Sequence, residues 1–350
     1  MDQTRFSEIY RDKLKEMMMQ KVTYLILLFI VIISYGCNNS ENPTENQGRA
    51  SIQITTNIST SLTSLIKDGA TVKSLIGSGT ISEIVPGNYI LTVEAQSYAS
   101  QTENITLSDG QTLQKNVQLE TKMIYIPSST FFMGSTTIFS SSDERPNHQV
   151  TLSAYEIGRY EVTQKEWRSV MGTNPSYFQG DNRPVEQVSW NDVISFCNKL
   201  SESEGLSPVY SFFGSASVSA DWKANGYRLP TEAEWENAAD YHSSITLEDI
   251  AWYHVNSKGT THGIGEKERN ELGMYDLIGN VWEWCWDWYL SYYYTSASQT
   301  DPKGPSSGIY RVARGGGFDS PENHCTHSKR FTWGPTRKHI ATGFRLARSR

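Results

Sequence analysis

The sequence lacks several features that would place it quickly in a common class of protein. Its 350 residues carry no excess of basic charge, since the formal net charge is −7 and the isoelectric point lies near 5.6. A nucleic-acid partner is therefore not expected, because no basic surface stands out to neutralise phosphates. Four cysteines are too few for a disulfide scaffold. The chain also contains no His-Glu-x-x-His motif, phosphate-binding glycine-rich loop or Gly-x-Ser-x-Gly motif.

Long aliphatic runs are also scarce, and the most pronounced apolar run lies near the N terminus. Residues 22–33 form an apolar run that is too short to span a bilayer and typical of a signal-peptide core. The run is followed by Gly36-Cys37, which resembles the lipobox of bacterial lipoproteins. This resemblance implies that residues 1–37 are a leader and lipoprotein signal peptide, with Cys37 lipidated. An ordinary secretory signal with an incidental cysteine is the alternative, and either one predicts export.

The next two segments predict a tether and a small domain. Residues 38–49, rich in Asn, Ser, Glu and Pro, cannot form a core and predict a flexible tether. Alternating apolar and polar residues predict an antiparallel all-β domain over residues 50–120. The predicted strands are 51–54, 70–72, 89–93, 104–107 and 116–119. The stretch from Val85 to Tyr89 resembles the PEGA domain of exported bacterial proteins, which implies a spacer or attachment module.

Aromatic residues are abundant, and four of the ten tryptophans fall between Val281 and Trp288. In this stretch every even position is Trp, and a period of two indicates an extended strand. The indoles are therefore predicted to line one face, with Glu283, Cys285 and Asp287 on the other. Because each indole can bury a large apolar area, we interpret this segment as a core strand.

Three helix starts can be recognised in the same region. Capping boxes at Thr163, Ser189 and Thr231 predict short helices, each with an acidic residue three positions further on. Glycine, proline and aromatic residues elsewhere predict irregular strands and long loops, which together give an α+β domain. Such loops need something to hold them in place, and tryptophan packing, calcium or a disulfide would serve.

These motifs occur in an order that resembles the sulfatase-modifying-factor family, which includes formylglycine-generating enzyme. The matching segments are 126–134, 160–163, 184–190, 227–236, 272–284, 314–316 and 343–345. The resemblance covers residues 123–350 and implies a variant of the C-type lectin fold.

The resemblance also locates the chemistry. Formylglycine-generating enzyme oxidises a sulfatase cysteine with O₂, using copper(I) held by two thiolates after the Gly-Gly motif. The second thiolate position is Cys325 here, and the first is Ser320. A serine hydroxyl is a hard ligand that stays protonated at neutral pH, so it cannot replace a thiolate for copper(I). We therefore expect no copper, and a catalytic role for Cys325 is not favoured.

The cysteines then need other roles. In an exported protein disulfides persist, and we predict a Cys285–Cys325 disulfide that closes a loop of about forty residues. A free thiol or a metal ligand remains the alternative. Cys197 is predicted to be free and buried on the apolar face of its helix, since its family partner position is Leu346 here.

A calcium site is implied by the resemblance as well. It would use the side chains of Asp276 and Glu283 and the backbone carbonyls of Gly279 and Val281. Calcium prefers six to eight oxygen ligands, which this turn can supply in part. In the alternative, Asp276 caps a turn and Glu283 pairs with an arginine.

Two functions follow from these residues. In the first, the chain is a non-catalytic binding or scaffold lipoprotein of the cell envelope, anchored to the outer membrane and facing the periplasm or the surface. Its partner would be a protein or a glycan. In the second, it is an oxidoreductase that converts a substrate-protein cysteine to formylglycine for sulfatase maturation. Ser320 favours the first function, although a fold alone does not fix activity.

Overall fold

The computed structural model describes residues 48–95, 98–213, 217–239 and 245–350. The predicted signal peptide, Cys37 and most of the predicted tether lie outside these residues. Within the described ranges, no helix has the length and apolar character needed to cross a membrane.

Seven strands build the N-terminal domain as two facing sheets. They are β1 (Ala50–Thr56), β2 (Leu62–Lys67), β3 (Ala70–Ile76), β4 (Gly79–Ile84), β5 (Gly87–Glu94), β6 (Gln101–Leu107) and β7 (Thr112–Val117). One sheet has the order β4-β1-β7 and the other β3-β2-β5-β6. Ile52, Leu65 and Leu91 from both sheets meet in one apolar cluster. The predicted all-β domain is confirmed, with one correction: β1 and β7 pair in parallel rather than antiparallel.

The second domain combines short helices with irregular sheets, as expected for an α+β fold. Its helices are α1 (Gln164–Met171), α2 (Trp190–Ser203), α3 (Glu232–Ala238) and α4 (Leu247–Ile250), and two 3₁₀ turns span Ser142–Glu144 and Glu322–His324. Its strands are β8 (Met123–Ile126), β9 (Ser129–Met133), β10 (His148–Leu152), β11 (Tyr155–Gly158), β12 (Tyr210–Phe213), β13 (Ser217–Ala220), β14 (Tyr227–Arg228), β15 (Trp282–Trp288), β16 (Gln299–Thr300), β17 (Arg311–Arg314), β18 (Arg330–Trp333), β19 (Thr342–Gly343) and β20 (Ala347–Ser349).

Two four-stranded sheets carry most of this domain. Their orders are β14-β20-β11-β8 and β18-β17-β15-β19, so that strands distant in sequence become neighbours. The C-terminal strand β20 lies between β14 and β11 in the first sheet. Long-range pairing of this kind ties the loops together without a long helix.

The three predicted helix starts are confirmed. Helices α1, α2 and α3 begin directly after Thr163, Ser189 and Thr231, each with a capping box. In α1 the Thr163 hydroxyl accepts a hydrogen bond of 3.1 Å from the backbone N–H of Glu166, which satisfies an otherwise unpaired donor. The fourth helix, α4, is a single turn after Thr246, whose capping box with Asp249 is not among the three predicted helix starts.

Strand β15 lies between two apolar clusters, and its alternation is confirmed. The indoles of Trp282 and Trp284 belong to the cluster that contains the inner face of α2. Cys285 points the other way, into the cluster that contains Trp235 of α3. The Trp190 indole N–H donates to the Cys285 carbonyl at 2.9 Å, which fastens α2 to the strand. Both faces of β15 are therefore interior, which positions the candidate site residues that follow.

Candidate functional site

Two glycines bring the segment after β17 against Cys325. Gly315 and Gly316 have φ values of +97° and +85°, which side chains rarely adopt. A Cβ at Gly315 would lie 2.6 Å from the Leu277 carbonyl, and one at Gly316 would lie 2.8 Å from the Cys325 sulfur. The Gly-Gly motif is thus required by close packing.

Ser320, at the first thiolate position, is buried and makes hydrogen bonds within its own turn. Its hydroxyl accepts a hydrogen bond of 2.9 Å from the backbone N–H of Gly317, and its N–H donates to the Gly317 carbonyl. Its carbonyl accepts from the His254 N–H at 3.0 Å. The side chain therefore stabilises a tight turn, a role that needs no thiol.

Cys325 is buried in apolar surroundings, and this decides its chemistry. Burial, with smaller contributions from the charges of Asp319 and Glu322, raises the pKa of the Cys325 thiol to about 12. Without a bound metal the group is a thiol at neutral pH, so it is a poor nucleophile. Its copper(I) chemistry is limited by the partner position, where the Ser320 hydroxyl is a hard ligand in place of a second thiolate. Ser320 and Cys325 together do not fit a copper centre.

The predicted Cys285–Cys325 disulfide is wrong for this structure, because both cysteines are free and buried. The Cys285 thiol lies on the face of β15 that packs against α3, in the same apolar cluster as Cys325, without a bond between the two sulfurs. Burial holds the pKa of Cys285 well above its usual range, with Glu232 and Asp287 adding to the rise. Cys197 is free and buried, as predicted.

Glu283, a predicted calcium ligand, pairs with an arginine. Its carboxylate receives two hydrogen bonds of 2.6 Å from Arg345 and one of 2.7 Å from the Trp235 indole N–H. Both side chains of the ion pair are fully buried. The pairing of Glu283 with an arginine is the alternative to calcium binding given in the sequence analysis.

Asp276, the other predicted acidic ligand, has a carboxylate neighbour that the sequence analysis missed. Asp276 accepts a hydrogen bond of 2.6 Å from the Gly265 N–H, and burial raises its pKa to about 7. Glu161, from the Tyr-Glu-Val-Thr motif, accepts from the Asn280 side chain at 2.7 Å. Burial, together with Asp276 and Glu283, raises the pKa of Glu161 well above its usual range.

Glu161, Asp276 and Glu283 all face the guanidinium of Arg345, and burial nevertheless raises the pKa of each of the three carboxyls. Within the described ranges, no three His, Cys, Asp or Glu side chains are arranged to hold a metal by themselves. Among the turn and loop hydrogen bonds of the same residues, no backbone N–H donates to the carbonyls of Gly279 or Val281. Carbonyl and carboxylate oxygens are the ligands that a hard cation such as calcium prefers. Of the two predicted carboxylates, however, Glu283 already accepts hydrogen bonds from Arg345 on both oxygens.

Three glutamates of α3 form a second group, which is already neutralised. Arg330 pairs with Glu232 at 2.7 Å, and Arg228 pairs with Glu234 at 2.6 Å. Arg314 reaches both Glu232 and Glu236. The acidic spacing of two residues in α3 is visible in the sequence, but its basic partners come from three other strands. Because every glutamate is paired, this group stabilises the fold.

The comparisons with known proteins agree with this geometry. The sulfatase-modifying factor enzyme 1-like domain matches residues 109–350. Formylglycine-generating enzyme of Thermomonospora curvata is 27% identical over 64% of this chain and 92% of that protein. The chaperone protein LppX of Paenibacillus barcinonensis is 37% identical over 53% of this chain and 76% of that protein.

Solved structures show the same fold. Variable protein 1 of Treponema denticola is 37% identical, with a TM-score of 0.60 over 65% of this chain and 95% of that chain. PvdO from Pseudomonas aeruginosa has a TM-score of 0.53 over 65% of this chain and 94% of that chain. At 24% identity its likeness concerns the fold alone. The expected C-type-lectin-like fold is confirmed.

Proposed function

Because the chain belongs to the sulfatase-modifying factor enzyme 1-like family, we propose that it keeps the family fold without the oxidase chemistry. It acts as an exported binding or scaffold protein of the cell envelope. The observation that carries this proposal is the pair at the copper position: Ser320 is held in its turn by Gly317, and Cys325 is a buried thiol of raised pKa.

The names of the relatives also support a non-catalytic role. Two relatives at 37% identity are called a chaperone protein and a variable protein, and neither name denotes an oxidase. The formylglycine-generating enzymes from Thermomonospora curvata and Streptomyces coelicolor are 27% and 29% identical.

Co-expression with a sulfatase-type cysteine peptide tests the proposal. We expect no aldehyde on the peptide, measured by hydrazide labelling and peptide mass, while the Thermomonospora curvata enzyme serves as the positive control. A Ser320→Cys variant supplies the missing thiol. It shows whether the lack of this thiol alone, or other differences from the enzyme, prevents aldehyde formation. An aldehyde formed by the unaltered protein would overturn the proposal.

We further propose that Cys37 carries the lipid that attaches the protein to the outer membrane. The residues before it have the pattern of a lipoprotein signal, and a lipid chain is a strong contributor to membrane affinity. The N-terminal sandwich would then act as a PEGA-like spacer. Metabolic labelling with an alkyne fatty acid should mark the protein and should fail for Cys37→Ser. Labelling that persists in this variant would contradict the anchor.

Calcium is the third part of the proposal. The ion would be held by the side chains of Asp276 and Glu283 and the carbonyls of Gly279 and Val281, with Glu161 adding negative charge nearby. Its role would be to neutralise buried carboxylates and hold the turn before β15. We expect the melting temperature to rise in calcium relative to EGTA, and the rise to disappear in Asp276→Asn. An unchanged melting temperature in the unaltered protein would remove calcium from the proposal.

A further inference from the structure

An open depression lies on the loop between β9 and β10, and none of the roles described so far uses it. Its volume is about 580 Å³, within the range of small-molecule sites. It is lined by Ser135, Thr136, Ser142, Arg145, Pro146 and Asn147. These residues are separate from the Ser320–Cys325 turn and from the carboxylates near Arg345.

Arg145 has an unusual status in this pocket. Its side chain makes no hydrogen bond or ion pair with any residue that the structure describes. Its Nε atom is closed to solvent without a partner, as are those of Arg311 and Arg314, but these two arginines have partners at their terminal nitrogens. In contrast, the buried Arg228 and Arg314 are both paired with glutamates. A half-buried guanidinium without an anion is unfavourable, so a bound anion would supply the missing partner.

The acidic residues beside Arg145 already have other partners. Glu144 accepts a hydrogen bond of 2.8 Å from the Ser328 hydroxyl and pairs with Lys329 at 3.3 Å. Asp143 accepts a hydrogen bond of 2.8 Å from the Tyr289 hydroxyl. The charge of Arg145 is thus left for a ligand.

The remaining lining groups are hydroxyls and one amide. The hydroxyls of Thr136 and Ser142 can each donate and accept, whereas that of Ser135 already accepts from the Thr137 N–H and the Ser140 hydroxyl and is left as a donor. Asn147 uses its Nδ2 on the Gly134 carbonyl at 3.1 Å, which leaves Oδ1 as an acceptor. This is the set of groups that binds sugar hydroxyls.

The same loop presents an apolar rim. Ile138 and Phe139 are 78% and 93% exposed. Both lie in the segment that joins the lining residues Thr136 and Ser142, and adjacent, strongly exposed apolar side chains are a feature of interaction sites. An aromatic ring there can cover the C–H face of a sugar.

We propose that this pocket binds an acidic sugar, a uronic acid unit of a glycan. Arg145 pairs with the carboxylate, the hydroxyls and Asn147 bind the ring hydroxyls, and Phe139 packs on the ring. The inference gives a ligand class to the proposed binding function, and it rests on that function.

Titration of the full soluble chain, residues 38–350, with glucuronic acid tests this site by ligand-observed NMR. We expect glucuronic acid to bind at least about tenfold more tightly than glucose, since a charged pair contributes about one such factor. It should also bind more tightly than acetate, which has the carboxylate but lacks the ring and its hydroxyls. Arg145→Met should lose this preference, and Phe139→Ala should weaken both sugars. Arg168→Met is the matched control, because Arg168 is exposed and paired with Asp181 outside the pocket.

Each outcome decides the proposal. Equal binding of glucose, or of acetate, would overturn the acidic-sugar assignment, and so would unchanged affinity in a folded Arg145→Met variant. Tryptophan fluorescence and the melting temperature show whether the variant is folded. Failure here leaves the aldehyde assay untouched, so the non-catalytic proposal is judged separately.

Discussion

The two domains use charged residues in opposite ways. The N-terminal sandwich has an apolar core, and its ion pairs lie outside it, such as Arg49–Glu83 with side chains 53% and 73% exposed. The second domain has exposed pairs as well, but it also buries several in its interior, where both Arg314 and Arg345 have side chains with no exposed surface. Exposed pairs contribute little to stability, whereas a buried charge that loses its partner is costly.

This difference makes unpaired polar groups informative in the second domain. Where most buried charged groups have partners, a polar group without one is either a candidate ligand-binding group or a group that destabilises the fold. Arg145 and the Oε2 atom of Glu186 are such groups. In the sandwich the same absence would mean little, because water satisfies an exposed group.

The largest effect is expected from breaking a buried pair. Arg314→Met leaves Glu232 and Glu236 without this partner, and we expect a loss of about 3–5 kcal/mol in the free energy of unfolding. Tryptophan fluorescence during urea unfolding reports on this domain, because all ten tryptophans lie between Trp167 and Trp333. If the Arg314→Met variant did not accumulate as folded protein, this would indicate an even larger loss of stability.

Lys115→Met is the control, since its pair with Glu103 lies on the sandwich surface. A change below about 1 kcal/mol is expected there, followed by circular dichroism. Similar losses in the two variants would break the comparison between the domains.

A second test compares two buried indoles on opposite faces of β15. Trp235→Phe removes a hydrogen bond to the Glu283 carboxylate, while Trp284→Phe removes one of 3.0 Å to the Val188 carbonyl. Both variants lose similar volume, so the difference reports on charge. We expect Trp235→Phe to cost about 1–2 kcal/mol more in urea unfolding, because bonds to charged groups are stronger. An equal cost would mean that Arg345 alone satisfies Glu283.

Local patterns account for what the sequence predicts well. The capping boxes at Thr163, Ser189 and Thr231 involve residues three apart, and the alternation of β15 needs only its own side chains. Strand β2 escapes prediction because its inward-facing Thr63 is buried but polar, which hides the alternation.

Pairings between distant segments could not be predicted in the same way. The Cys285–Cys325 disulfide failed because alternation gives the face of Cys285 but not what packs on that face. Glu161 and Arg345 join Asp276 and Glu283 only through the sheet, and the sequence offers no spacing that links them. Arg145 lacks any sequence signal, since its distinction is the absence of a partner in three dimensions.

The pH dependence of Glu186 tests a buried carboxyl that has an unpaired oxygen. Burial raises its pKa from the ordinary 4.5 to about 7. Its contribution to stability is full below pH 4.5, falls as the pH rises towards 7, and stays low above it, because the unfolded chain releases the proton first. Relative to Glu186→Gln, the unaltered protein should therefore lose a few degrees in melting temperature between about pH 5 and about pH 8. Parallel curves for the two proteins would show that Glu186 does not titrate in this range.

The smallest expected effect comes from a comparison of two hydrogen bonds of equal length, one in the interior of the second domain and one on the surface of the sandwich. Ser320 accepts from the Gly317 N–H at 2.9 Å in the interior, and Ser51 bonds the Thr112 hydroxyl at 2.9 Å on the sandwich surface. Ser320→Ala leaves a buried N–H unpaired and should cost about 1 kcal/mol, whereas Ser51→Ala should change almost nothing because water replaces the partner. Calorimetry of each domain's transition measures both. If Ser320→Ala were neutral, the hydroxyl would not be what holds this turn, and the structural role that separates Ser320 from a copper ligand would lose its support.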